Sequence, residues 1–257
     1  MPGAPNRISP WFLLLVLVTL VGGVLCVLGT PQALREGSSV LLTAGVVLLV
    51  LGGWAVSLCL HEFGHAIVAY RSGDWTVRAK GYLTLDVRRY TDVWLSFVLP
   101  VAFLLLGGIP LPGGAVWINH GAIRSPALRS LVSLAGPLAN LVFAAVLTIA
   151  VAVVPMPVGL AVGLSCLALI QVIAFVLNIL PIPGLDGFGV LEPFLPDSAV
   201  RLAARVRPWA PIVIFVLIIG VPGVANAFFS AGTALFAAVG GSAQLAAAGY
   251  RELLFWR

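Results

Sequence analysis

VLLTAGVVLLVLGGWAVSLCLHEFGHAIVAYR, residues 40–71, is the stretch from which the fold is read. No charged side chain or histidine interrupts it before His61, and about 20 predominantly apolar residues suffice to cross a bilayer. The run therefore reads as a membrane helix. Its C-terminal part then carries His61, Glu62 and His65 before Arg71 ends it. Ionisable groups at membrane depth are costly, so these three are functional candidates by default.

The rest of the chain agrees with a lipid environment. Of its 257 residues 61% are apolar and 9% charged, against roughly 25% charged in an ordinary soluble domain. A water-soluble globular protein of this size could not bury so much apolar side chain, and the charges are too thinly spread for a separate soluble domain. The net charge of +5 comes from 13 Arg and one Lys against nine acids. No basic run interleaved with aromatics suggests a nucleic-acid groove, so the cations read as topology signals and no nucleic-acid partner is expected. Cys26, Cys59 and Cys166 are odd in number, share no CxxC spacing and lie in apolar runs, which makes them buried thiols without a disulfide framework.

Residues 11–29 form an uncharged run longer than a signal-peptide core and read as a retained first helix. Residues 71–92 alternate apolar and polar side chains around Lys80-Gly81 and predict a small β-hairpin over 75–87. An apolar run at 93–111 is broken by Pro100, Gly107-Gly108 and Pro110. Spans follow at 130–154, 158–180, 211–229 and 231–249.

His61-Glu62-Phe63-Gly64-His65 is an HExxH pentapeptide. With three His and four Glu in the chain, chance would give the pattern in roughly 5 in 10,000 shuffles. Residues four apart share a helix face, so both imidazoles can converge on one zinc ion with Glu62 beside them. Zinc with three protein ligands keeps a position for water, whose proton a nearby carboxylate can take. The alternative is a pair of membrane histidines satisfied by neighbouring helices. The remaining ionisable group close to a long span is Asp186, in Asn178-Ile-Leu-Pro-Ile-Pro-Gly-Leu-Asp186-Gly187, and it is the natural third ligand.

In these residues the chain resembles the site-2 protease family of intramembrane metalloproteases. That family combines HExxH on one membrane helix with the Asp of an NxxPxxxLDG-like motif on a later one; Asn178, Pro181, Asp186 and Gly187 fit it. Ala135-Gly136-Pro137-Leu138-Ala139-Asn140 is similar to the family's AGPxxN stretch. The three motifs span residues 61–187 in family order. The resemblance implies zinc held by His61, His65 and Asp186, with Glu62 as the catalytic base. It also makes Asn178 and Asn140 candidate substrate-binding residues, with helix capping or packing an equal alternative for Asn178. Gly184 stands where many relatives carry Pro, and no PDZ-sized insertion is evident, which implies a minimal bacterial member and a single membrane-embedded metalloprotease domain over 1–257. The substrate would be a transmembrane protein or peptide, cleaved in or near its span within the lipid bilayer.

Topology supplies a further expectation. If 93–111 crossed fully, Asp186 would fall on the opposite side from His65. The segment at 93–118 is therefore expected to be re-entrant or interfacial. The fold class expected is an all-α polytopic membrane protein of about six transmembrane helices, with the small β-hairpin. A cytoplasmic N-terminus then puts thirteen of the fourteen cations, Arg251 and Arg257 included, on the inner side of a plasma membrane. The active site would lie near the cytoplasmic leaflet. Trp11, Trp75, Trp94, Trp209 and Trp256 suit interfacial anchoring, and His120 reads as an interfacial histidine. Gly163-Leu164-Ser165-Cys166 has the GxSx form of a rhomboid-type nucleophile, but outside the HExxH motif only His120 is free to partner it. A second class of function, a non-proteolytic scaffold or metal transporter of the same fold, has no need of Glu62 in the membrane.

Overall fold

The computed structural model describes residues 8–90 and 116–256. Helix α1 (Pro10–Glu36) begins at Ser9, whose hydroxyl accepts from the Trp11 N–H, with Pro10 at the first helical position. It stops at Gly37, left-handed at φ 76°, and Ser39 caps the next helix, α2 (Val40–Ser72), by accepting from the Leu42 N–H. The short connection makes the two helices antiparallel. Gly22 and Gly29 bring their backbones together: a Cβ at either would lie 2.8 Å from the Cα of Leu49 or Leu42. Small residues serve this purpose between membrane helices.

Two single turns follow, α3 (Thr76–Ala79) and α4 (Val87–Tyr90), with a 3-10 turn at Tyr82–Thr84 between them. The expected β-hairpin over 75–87 is corrected here. Asp74 accepts from both the N–H and hydroxyl of Thr76, and Asp86 accepts from the Arg88 N–H, so each acid starts a local turn. The backbone then bonds to itself, Lys80 N–H to Thr76 and Thr84 N–H to Gly81. Val77, Leu83, Val87 and Tyr90 are all buried, so the alternation in sequence is one of turns over a buried surface, not of two sheet faces. No strand occurs among the described residues. The re-entrant or interfacial segment expected at 93–118 lies outside them up to residue 115, and 116–118 have no regular secondary structure.

Helix α5 (Pro126–Val153) is capped by the Ser125 hydroxyl, and α6 (Val158–Asn178) follows after a four-residue connection. The chain ends in short pieces: α7 (Asp186–Leu191), α8 (Asp197–Val206), α9 (Ala210–Gly220), α10 (Pro222–Ala238) and α11 (Ala243–Leu253). Four helices, α1, α2, α5 and α6, are long and apolar enough to cross a membrane; Ile212–Ile218 with Pro222–Ala238 would make a fifth span, bent by 94°. The two final spans expected at 211–229 and 231–249 are thus three helices. Pro222 has no N–H and disfavours the helical conformation of Val221, which sits at φ −122°, ψ 94°. Gly240, at φ 88°, ends the following helix.

The core forms where α2 meets α6: Val46, Leu49, Val50 and Trp54 pack against Val162, Cys166, Leu167 and Ile170. Of the apolar window of α6, 72% is buried, against 17% for α1, so α1 faces the lipid. The three cysteines are free and buried, as expected.

Helices α2 and α6 run the same way, with α1 and α5 antiparallel to them. The Arg124 N–H reaches the Ser72 carbonyl at 3.4 Å, so the segment between α2 and α5 leaves and returns at one end of the molecule. The Ser9 N–H bonds the Thr84 carbonyl there too, at 2.8 Å. At the opposite end, the Thr43 hydroxyl donates to Glu252 at 2.5 Å, and Gly249 of α11 packs on Val162 and Cys166 of α6. Arg251 therefore sits with Arg35 at the end away from residues 71–90, which corrects its expected side.

Candidate metal centre

The α2 helix is 33 residues long, about 50 Å at 1.5 Å per residue, and His61 lies about two thirds of the way along it. Both histidines are buried, at 4% and 6% exposure, and Glu62 is at 3%. On the helix, His61 and His65 stack one turn apart with their rings edge to face, centroids 4.7 Å apart. Their Nε2 atoms are separated by 3.1 Å.

Asp186 reaches this pair from the start of α7. Its Oδ2 lies 3.2 Å from His61 Nε2 and its Oδ1 3.3 Å from His65 Nε2. The turn that aims it is tight: a Cβ at Gly187 would meet the carbonyl oxygen of Leu180 at 2.5 Å. Gly184 precedes it at φ 105°, a conformation closed to proline.

The two Nε2 atoms are 3.1 Å apart, and each has one oxygen of the Asp186 carboxylate within 3.3 Å, Oδ2 for His61 and Oδ1 for His65. Bonds of 2.0–2.1 Å in a tetrahedral zinc site require edges of about 3.3–3.4 Å. Two imidazole nitrogens and a carboxylate are also zinc's ordinary donors. Among the described residues they are the one group of three such side chains whose ligand atoms all fall within 4.8 Å of one another. The residues present fit the ion.

The supporting contacts come from α5. His61 Nδ1 lies 2.5 Å from Asn140 Oδ1 and His65 Nδ1 lies 2.7 Å from the Val132 carbonyl oxygen. Since both partners present acceptors, both imidazoles carry their proton on Nδ1 and leave Nε2 a lone pair. Glycines let α5 approach this closely. A Cβ at Gly64 would lie 2.8 Å from the Ala135 carbonyl oxygen, and one at Gly136 would lie 2.7 Å from His61 Nε2 and closer still to His65 Nε2.

Glu62 Oε2 accepts from the Val116 N–H at 3.1 Å, so the segment after residue 115 lies against the carboxylate. That segment is pinned in turn by Asp74, whose Oδ2 accepts from the Asn119 N–H at 2.7 Å, and by Lys80, which donates to the Trp117 carbonyl. Burial would raise Asp74, but the hydrogen bonds from Thr76 and Asn119 outweigh it and hold the carboxyl below its ordinary value of 3.8.

The structure thus brings His61, His65 and Asp186 together. Asn140, expected at the substrate, is instead 2% exposed and bonded to His61 and, through Nδ2, to Gln171 Oε1 at 2.8 Å. Asn178 is buried at the end of α6 and makes no side-chain hydrogen bond to another described residue. His120 stands apart, in a 3-10 turn at His120–Ala122. Gln171 escaped the sequence reading, although one long polar side chain inside the apolar run 158–177 was a signal that could have found it.

The model of the family described as Peptidase family M50 matches residues 47–163. The protein called "Putative zinc metalloprotease Rip2" in Mycobacterium tuberculosis is 46% identical over 97% of this chain and 95% of its own length. Its namesake in Mycolicibacterium smegmatis is 43% identical over the same shares. A Bacillus subtilis protein of the same description, YwhC, is 30% identical over 64% of this chain and 77% of its own. No solved structure matches.

Proposed function

The chain belongs to peptidase family M50, the site-2 protease family of zinc metalloproteases, and on that premise we propose that it hydrolyses a peptide bond in or near a transmembrane segment of another membrane protein. The observation that carries this reading is the position of the three donor side chains. It is held by one helix long and apolar enough to span and by the turn just after another, so a substrate reaches it at membrane depth.

In this reading His61, His65 and Asp186 hold zinc, which supplies a Lewis acid for the scissile carbonyl and lowers the pKa of water. Glu62 takes the proton of the attacking water and passes it to the leaving amine. Its place next to His61 in the chain puts the base at the metal edge, and the Val116 N–H fixes the direction of the carboxylate. Asn140 and the Val132 carbonyl keep the two imidazoles turned so that each presents Nε2. Asn178, with no partner among the described residues, is left to bond the backbone of an extended substrate. A helix hides its peptide bonds, so the substrate has to unwind before the cut.

The described chain forms one membrane-embedded domain with the N-terminal end of α1 at the metal end. Lys80, Arg89 and Arg124 lie at that same end, and Arg207 packs against Gly184 beside Asp186, which by the positive-inside rule makes it cytoplasmic. Cleavage there releases a fragment to the cytoplasm, the pattern of regulated intramembrane proteolysis.

The test is cleavage of single-span peptides by the detergent-purified protein with zinc present. Cuts within a few residues of the apolar span, abolished in Glu62→Gln while zinc content is unchanged, are expected. Cleavage confined to soluble polypeptides, or undiminished in Glu62→Gln, contradicts the proposal.

A further inference from the structure

Helix α8 (Asp197–Val206) presents three different sides. Ala203 is buried against the protein, with Ala199 and Val200 partly covered beside it. Leu202 and Val206, one turn apart, make an exposed apolar stripe that Trp209 continues in the 3-10 turn Arg207–Trp209; Leu202 is 62% exposed and Trp209 63%. Next to the stripe stand Arg201 and Arg205, again one turn apart, exposed and without a hydrogen bond or ion pair to another described residue. We propose that α8 lies in the bilayer interface at the metal end, with Leu202, Val206 and Trp209 among the acyl chains and Arg201 and Arg205 binding the phosphates of anionic phospholipid.

The contacts of α5 set the depth of this part of the chain. That helix has 28 residues, about 42 Å at 1.5 Å per residue, against a hydrocarbon core of about 30 Å. Placed symmetrically, it overhangs the core by about 6 Å at each end, which is also the rise from Pro126 to Ser130. The Ser130 hydroxyl donates to the Val190 carbonyl at 2.6 Å, so the end of α7 sits where acyl chains give way to headgroups. From there α8 begins seven residues on. Its other end is held beside the metal turn: Arg207 donates to Glu192 at 3.2 Å, and its Cγ lies 3.5 Å from where a Cβ at Gly184 would be.

At that depth the surroundings are apolar on one side and anionic on the other, and the helix is sorted in the same way. A helix with arginines on one face and leucine, valine and tryptophan on the next lies in the plane of the interface. Arginine stems run along the apolar stripe while their heads reach the headgroups, and the planar guanidinium matches phosphate oxygens in pairs. A second copy of the chain or a soluble partner would need the stripe to clear the bilayer, whereas the bond from Ser130 to Val190 keeps the preceding segment level with the lipid.

The experiment places a fluorophore on Leu202→Cys in the full-length protein, reconstituted in vesicles of phosphatidylcholine and phosphatidylglycerol; Cys26, Cys59 and Cys166 are buried and stay unlabelled. Quenching by brominated phosphatidylglycerol is compared with quenching by brominated phosphatidylcholine at equal mole fraction, and thermal melting checks each variant. Should Leu202→Cys not fold, Val206→Cys takes its place. Both lipids should quench, the anionic one about fivefold more effectively, the factor supplied by one arginine at a charged membrane surface. With Arg201→Gln and Arg205→Gln added, the two lipids should quench equally. No quenching by either lipid would put the stripe in water or against protein and overturn the proposal. Equal quenching while both arginines are present, or a preference for phosphatidylglycerol that survives their loss, would overturn it too. None of these readings depends on zinc or on peptide cleavage.

Discussion

Gly136 carries the sharpest test at the scale of single residues. A methyl group there would occupy the space of the two Nε2 atoms, while alanine is the better helix former by about 1 kcal/mol. Gly136→Ala should therefore keep its fold and lose zinc, with affinity falling at least about tenfold; melting temperature and metal content measured on one sample check both halves. This residue was quoted in the sequence only as part of a motif. His61, Glu62, His65 and Asp186 were legible because their chemistry is rare in a membrane run and the i, i+4 spacing is geometric. Asn140 was legible as part of a motif, but its bond to His61 was not, because an amide in a helix gives no sign of which neighbour it meets. Gln171 and the Val132 carbonyl act through contacts between helices distant in sequence, which local patterns do not encode.

Between α2 and α5 the elements depend on two acids. Asp74 joins the end of α2 to the segment that meets Glu62, and its folded value is depressed below 3.8. Its stabilisation is therefore full above the ordinary carboxylate value and is lost as pH falls through the lower, folded one. Asp74→Asn should destabilise the protein by about 1.5–3 kcal/mol at neutral pH and open the segment at 116–119 to protease. The difference from wild type should vanish in acid, as thermal melting at a series of pH values would show. The long helices were legible from apolar length alone, whereas this region was read as strands. A period of two appears in sequence whenever buried residues alternate with capping acids and solvated cations, and only hydrogen bonding separates the two cases. The last two helices failed for a related reason. Val221-Pro222 and Gly240-Gly241 interrupt runs whose composition remains apolar, and hydropathy registers no break.

In the whole molecule, the start of α1, residues 71–90 and the metal centre lie at one end, with the α1–α2 turn and the end of α11 at the other. In vesicles of known orientation, Gly37→Cys and Phe255→Cys should react with an impermeant thiol reagent from one side and Lys80→Cys from the opposite side; Cys26, Cys59 and Cys166 are buried and give little background. Shared labelling of Phe255→Cys and Lys80→Cys would restore the six-crossing topology and contradict the arrangement described above. The direct test of the central claim is zinc content by elemental analysis of the detergent-purified protein beside folded His61→Ala, Asp186→Ala and Glu62→Gln variants. The account predicts about one zinc per chain in the wild type and in Glu62→Gln, and none in the two ligand variants. Zinc retained in Asp186→Ala, or absent from wild type after metal is added back, would contradict it.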